Sequence, residues 1–140
     1  MKEVNNLDFI GITERGDASI DYSWVEKMDQ VRAAIIISKN LTPELIKALI
    51  RFKDKVIFHM TCTGYGGTVL EPNIPSIDKT YKNVWELIKT GFRPSQIVLR
   101  VDPIIPTPKG IAQAQNVLST FMSTPIIRAR YSFLDMYTHV

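Results

Sequence analysis

The chain has 140 residues, 17 basic and 14 acidic side chains, a net charge of +3, 45% apolar residues and one cysteine, which suits a single globular domain able to bury a core rather than a disordered chain. A lone thiol, Cys62, excludes an internal disulfide, a self-contained zinc finger and an iron–sulfur cluster held by this chain's own thiolates, and it fits a reducing compartment. With no apolar run near the roughly 18 residues of a membrane span and no signal-peptide layout at Met1 to Asn6, the expected location is the cytoplasm, and the small positive excess hints at anionic ligands without implying nucleic acid.

Short β-branched runs alternate with longer amphipathic stretches, the pattern of βα units. The first strand is expected over Leu7 to Thr13, followed by the polar cluster Glu14-Arg15-Gly16-Asp17 and a helix from Ile20 to Val31. A second strand, Ala33 to Ser38, stops at Lys39-Asn40. Thr42 then reads as an N-cap with Pro43 at the first helical position, and Leu45, Ile46, Leu49, Ile50 and Phe52 give that helix its apolar face. The third strand, Lys55 to Thr61, runs into Thr63-Gly64-Tyr65-Gly66-Gly67 and on through Leu70 to Pro75, long for a simple connection. Ser76 caps a helix through Lys89 that Gly91 stops, with Ile77, Tyr81, Val84, Trp85 and Ile88 on one side. The fourth strand, Gln96 to Asp102, meets Pro103; a helix from Lys109 to Met122 precedes the last strand, Pro125 to Ser132.

About five strands joined by helices in one direction require right-handed crossovers and a parallel sheet. Two architectures remain, a partial (β/α) barrel and an open doubly wound sheet. A closed eightfold barrel of about 250 residues needs roughly 31 per unit, too many for this chain, so a single domain over residues 1–140 would be an incomplete barrel. Five strands also leave unpaired edges, which invite homodimerisation or a further segment.

Ligands of parallel sheets bind beyond the carboxyl ends of the strands. Alternation places Thr13 with Arg15, His59 with Thr61, Arg100 with Asp102, and Arg128 with Arg130 and Ser132, each set on one face of its strand. A concave, polar mouth is expected there, into which Arg15, Lys39, Arg100, Arg128 and Arg130 converge with Glu14, Asp17, Asp102 and Asp135 as counter-charges. Such a cluster either pairs internally to hold the strand ends together or receives negative charge from a ligand, a carboxylate or phosphate clamped by arginine. The glycine loop is neither a Walker loop nor GxGxxG; it either presents backbone N–H groups to a ligand or is a turn that needs positive φ. His59, in mid-strand, reads as a satisfied core histidine, Cys62 as a buried inert thiol, and Trp24 and Trp85 as core.

Five strand-end motifs occur in the order found in a family of uncharacterised prokaryotic proteins: Thr13-Glu14-Arg15-Gly16-Asp17, Ser38-Lys39-Asn40, Thr61 to Gly66 with Leu70 to Pro75, Arg100 to Ile105, and Ser132 to Tyr137. That family resembles the radical S-adenosylmethionine barrels, spore photoproduct lyase among them, with its cysteine cluster near the C-terminus. The resemblance implies a partial barrel and reductive cleavage of S-adenosylmethionine at a [4Fe–4S] cluster in a longer form of the chain. It maps strand-end roles onto Arg15, Asp17, Lys39, Asn40, Thr61, Thr63, Tyr65, Glu71, Asn73, Arg100, Asp102 and Asp135, with Arg100, Asp102 and Asp135 as the catalytic candidates. Glu14 and Gly16 depart from the family's first motif, and the sequence reaches Val140 without the cysteines. The expectation is the substrate- and cofactor-lining N-terminal part of such a protein; the alternatives are a cluster-free module for an anionic ligand, a nucleotide or a nucleic-acid end, and a purely structural protein.

Overall fold

The computed structural model describes residues 9–13 and 16–135. Five strands, β1 (Ile10–Ile12), β2 (Ala33–Ser38), β3 (Val56–Thr61), β4 (Ile97–Ile104) and β5 (Arg128–Phe133), form one sheet in the order β1-β2-β3-β4-β5. Every pairing is parallel. The crossovers carry a 3-10 segment (Ser23–Gln30) and helices α1 (Pro43–Arg51), α2 (Ile77–Lys89) and α3 (Pro108–Phe121), with a short 3-10 turn (Pro94–Gln96) leading into β4. The chain is thus an α/β domain with an all-parallel sheet, as its alternating pattern predicts.

The helices begin where cap chemistry places them. Thr42, Ser76 and Thr107 each accept a hydrogen bond from the backbone N–H three residues on, with proline following Thr42 and Thr107. Gly91, at φ +104°, closes α2 in a conformation that glycine adopts freely.

One hydrophobic cluster holds the domain. Ala34 and Ile36 of β2, Val56, Phe58 and Met60 of β3, and Ile97, Leu99 and Val101 of β4 meet Leu45 and Leu49 of α1, Val84 and Leu87 of α2, and Val117 and Phe121 of α3. These strand residues recur at every second position, so they occupy one face of the sheet. The alternate positions, Ile12, Ile35, Ile37, Ile57 and Arg100, lie outside the cluster. The site lies on their face.

Several boundaries differ from the sequence reading. The stretch before β2 is a 3-10 segment of eight residues rather than a longer helix, because only Trp24 and Met28 anchor it and Ile20 is 83% exposed. β4 runs past Asp102 through Pro103 to Ile104, with a register shift against β5 between Val101 and Ile104; proline lacks the N–H that a regular ladder would use there. β5 starts at Arg128, and all six of its residues are exposed. Trp85 is half-buried, packing edge-on against Tyr81, whereas Trp24 is in the core.

Candidate functional site

The strand ends carry two polar networks. In the first, Asp17 follows β1 and its carboxylate accepts four hydrogen bonds: from the Ser19 N–H (2.8 Å), the Ser19 hydroxyl (2.6 Å), the Ser38 hydroxyl (2.6 Å) and the Lys39 N–H (2.7 Å). Burial pushes its pKa up, but these donors together outweigh that and hold the carboxyl below its ordinary value. Lys39 then reaches across to Glu71, Nζ to Oε2 at 3.0 Å, and Glu71 also accepts a short hydrogen bond from the Thr63 hydroxyl. Asp17, Ser38, Lys39, Glu71 and Thr63 thereby tie the carboxyl ends of β1, β2 and β3 into one unit.

Glu71 stands there because the glycine loop folds back on itself. Gly66 bridges Glu71, the Gly67 N–H donates to the Glu71 carbonyl (3.0 Å), and Gln113 of α3 donates to the Gly64 carbonyl (2.6 Å). Gly64 and Gly67 take φ values of +91° and +76°, so the turn that needs positive φ is present.

The second network joins β4 to β5. Arg100 Nη2 donates to Asp102 Oδ2 at 2.8 Å, and the Ser132 hydroxyl donates a short hydrogen bond to Asp102 Oδ1. Internal pairing thus accounts for Lys39 and Arg100. Arg128 and Arg130 are exposed, and neither has a carboxylate partner among the described residues.

A cleft of about 330 Å³ lies on the sheet face opposite the core. Ile12, Ile35 and Ile37 give it an apolar floor, Thr13 and Gly16 edge it beside β1, and His59, Arg100 and Arg130 form a nitrogen-rich wall. His59 is only 5% exposed, and its Nδ1 is the one buried side-chain nitrogen or oxygen without a partner among the described residues. The reading of His59 as a satisfied core histidine is therefore corrected: its ring is enclosed but not satisfied. Burial first, then the positive charges of Arg100 and Arg130, push its pKa down to about 4, so the imidazole is neutral around pH 7.

The remaining candidates separate. Thr61 is buried beside Arg100 in the strand register. Asn40 takes part through its backbone, donating its N–H to Ser38 Oγ (2.9 Å). Tyr65 is half-buried in the loop, its N–H donating to Thr63 Oγ1 (3.3 Å). Asn73 is exposed on the rim, and Asp135 is exposed just past β5; no hydrogen bond or ion pair joins Asp135 to Arg100 or Asp102. Arg15 and Glu14 lie outside the described residues. Among the described residues, the positive side chains expected in one mouth are thus divided between Lys39 and Arg100, which have carboxylate partners, and Arg128 and Arg130, which do not.

Residues 18–140 match the family described as Domain of unknown function (DUF1848). The chain belongs to that family. No curated protein and no solved structure matches it. The DUF1848 match agrees with the expectation of an uncharacterised family and says nothing of S-adenosylmethionine or iron–sulfur chemistry. In this DUF1848 member the matched span takes in every group of both networks except Asp17.

Cys62 is not a ready nucleophile. It is 5% exposed, and burial, with the Glu71 carboxylate adding to it, pushes its thiol up to about 11. Thiolate is then about one part in a thousand at pH 8, so alkylation by iodoacetamide is expected to run at least about a hundredfold slower than with free cysteine. Reaction at the free-cysteine rate would contradict this burial. No group of three His, Cys, Asp or Glu that could hold a metal occurs among the described residues, and no helix there is long and apolar enough to cross a membrane.

Proposed function

We propose that the strand ends form the ligand-binding mouth of one arc of a (β/α) barrel, and that the cleft takes a small ligand with an oxyanion head and an apolar body. The observation that carries this reading is the cleft itself, where the unpaired Arg130 and the paired Arg100 stand over three isoleucines. Arginine offers an oxyanion a planar set of donors, and the aliphatic floor suits an uncharged body. The sequential strand order supports an arc rather than a reversal of winding. So does the meeting of Thr13 beside β1 and Arg130 on β5 in one cleft: flat strands about 4.8 Å apart would hold the first and fifth some 19 Å from each other, and curling toward this face shortens that gap.

S-adenosylmethionine, with its carboxylate and adenosyl group, is the first ligand to try, on the strength of the family resemblance. The [4Fe–4S] cluster does not fit these residues. Cys62 is the one thiol of the chain, it is buried and protonated, and no other candidate set accompanies it among the described residues. No step through a cluster is therefore derived for this chain.

Calorimetry with S-adenosylmethionine and with ATP tests the reading. Binding of one of them, weakened about tenfold by Arg130→Ala through loss of one charge-assisted contact, is the expected result. Absence of heat with both ligands would overturn it. A second reading, a structural tie, has its own support in the Arg100–Asp102–Ser132 network between β4 and β5. It predicts that Arg100→Ala lowers the melting temperature while ligand affinity stays the same.

A further inference from the structure

His59 holds an unusual place in the cleft. The ring is nearly enclosed at the middle of β3, its Nδ1 is shut away without a partner, and Nε2 is not sealed in that manner. A neutral imidazole carries one proton, on one nitrogen or the other. Placed on Nδ1, the proton would be a buried donor with no acceptor. Placed on Nε2, it leaves only a lone pair at Nδ1, and it turns a donor toward the cleft. In the strand register Ile37 of β2 and Val98 of β4 stand opposite His59, and neither side chain can accept a hydrogen bond.

We propose that His59 is a ligand-contact residue, whose Nε2–H donates to the oxyanion held by Arg100 and Arg130 and so selects ligands by that group. The inference rests on the anion-binding reading of the cleft and deepens it by naming a third, uncharged donor. A neutral donor beside two cations fits a compact oxyanion, a carboxylate or a phosphate, because each of its oxygens can then accept from a separate group.

The test uses the full chain and inorganic phosphate, with acetate as the carboxylate arm. Long-range proton–nitrogen NMR at pH 7 is expected to find His59 as the Nε2–H tautomer, with its ring signals shifting as phosphate or acetate is added; the arm that shifts them identifies the oxyanion. His59→Leu is expected to weaken that anion's binding about fivefold to tenfold, and His59→Gln, which keeps an N–H donor of similar reach, to recover most of it. An Nδ1–H tautomer overturns the inference, and so does unchanged affinity in His59→Leu alongside weakened binding in Arg130→Ala; that last pattern leaves the anion-binding mouth standing. If neither anion binds the unaltered chain, both readings fall. Should His59→Leu not fold, the tautomer and the anion-induced shifts of the unaltered chain decide alone.

Discussion

Asp17→Ala is expected to lower the unfolding free energy by about 3 to 5 kcal/mol, the scale on which a carboxylate that satisfies several buried donors is lost. Four donors converge on this side chain. Those of Ser19 can turn to water, but Ser38 is 1% exposed and its hydroxyl would keep only the Asn40 carbonyl, at 3.0 Å, as an acceptor. Urea unfolding at pH 7 measures the loss, and a change below about 1 kcal/mol would mean that water replaces the carboxylate at every donor. The pH dependence has a definite sign. The folded-state pKa of Asp17 is lowered from 3.8, so its stabilisation is complete above 3.8 and disappears as the pH falls through the lower folded value. The penalty of Asp17→Ala should therefore shrink only in acid below 3.8.

Most of the fold was legible because the signals that define it are local. The N-caps Thr42 and Ser76, the proline after Thr42, and the glycine that ends α2 each act within one turn of their own position. The aliphatic alternation in β2 places Ala34 and Ile36 on the core face without reference to anything distant. The two weak elements are those whose packing is not local. Ser23–Gln30 has the spacing of a helix, but two buried residues do not stabilise a longer one. β5 carries an alternation whose apolar positions, Ala129, Tyr131 and Phe133, are exposed with the rest of the strand.

The site was legible at the level of strand ends and not at the level of partners. Alternation puts Arg100 and Asp102 on one face of β4, where they pair, whereas the place of Thr61 beside Arg100 depends on a register that alternation does not supply. It cannot tell that Lys39 finds Glu71, 32 residues away, because that pairing depends on how the glycine loop turns back. The same limit explains the correction at His59. Strand period already sets His59 on the face of Thr61 and away from Phe58 and Met60, but it takes the third dimension to see that Nδ1 finds no partner there and that the ring shares a cleft with Ile37, Arg100 and Arg130. The isoleucine floor was likewise invisible as a binding feature, because Ile35 and Ile37 in a buried parallel strand need no second explanation.

Gly66→Ala is expected to be the most damaging single-atom addition to the site. A Cβ at Gly66 would stand 1.8 Å from the Pro75 carbonyl oxygen and 3.0 Å from that of Ile74, and both are backbone atoms that cannot rotate away like the end of a side chain. Relief requires the segment through Ile74 and Pro75 to move outward, and the same segment carries Glu71, which Gly66 and Gly67 hold in place. Overpacking of this kind costs about 3 kcal/mol, and here the displacement also withdraws the carboxylate from Lys39 and Thr63. Gly67→Ala is the control: its added carbon meets nothing within 4 Å, and only the backbone at φ +76° resists, for about 1 to 2 kcal/mol. Chemical denaturation of the two variants should therefore rank Gly66→Ala as the weaker protein. A loss at Gly66→Ala no larger than that at Gly67→Ala would mean that the Pro75 segment moves aside at little cost, since Gly66 itself has no positive φ to lose, and Glu71 would then keep its place beside Lys39.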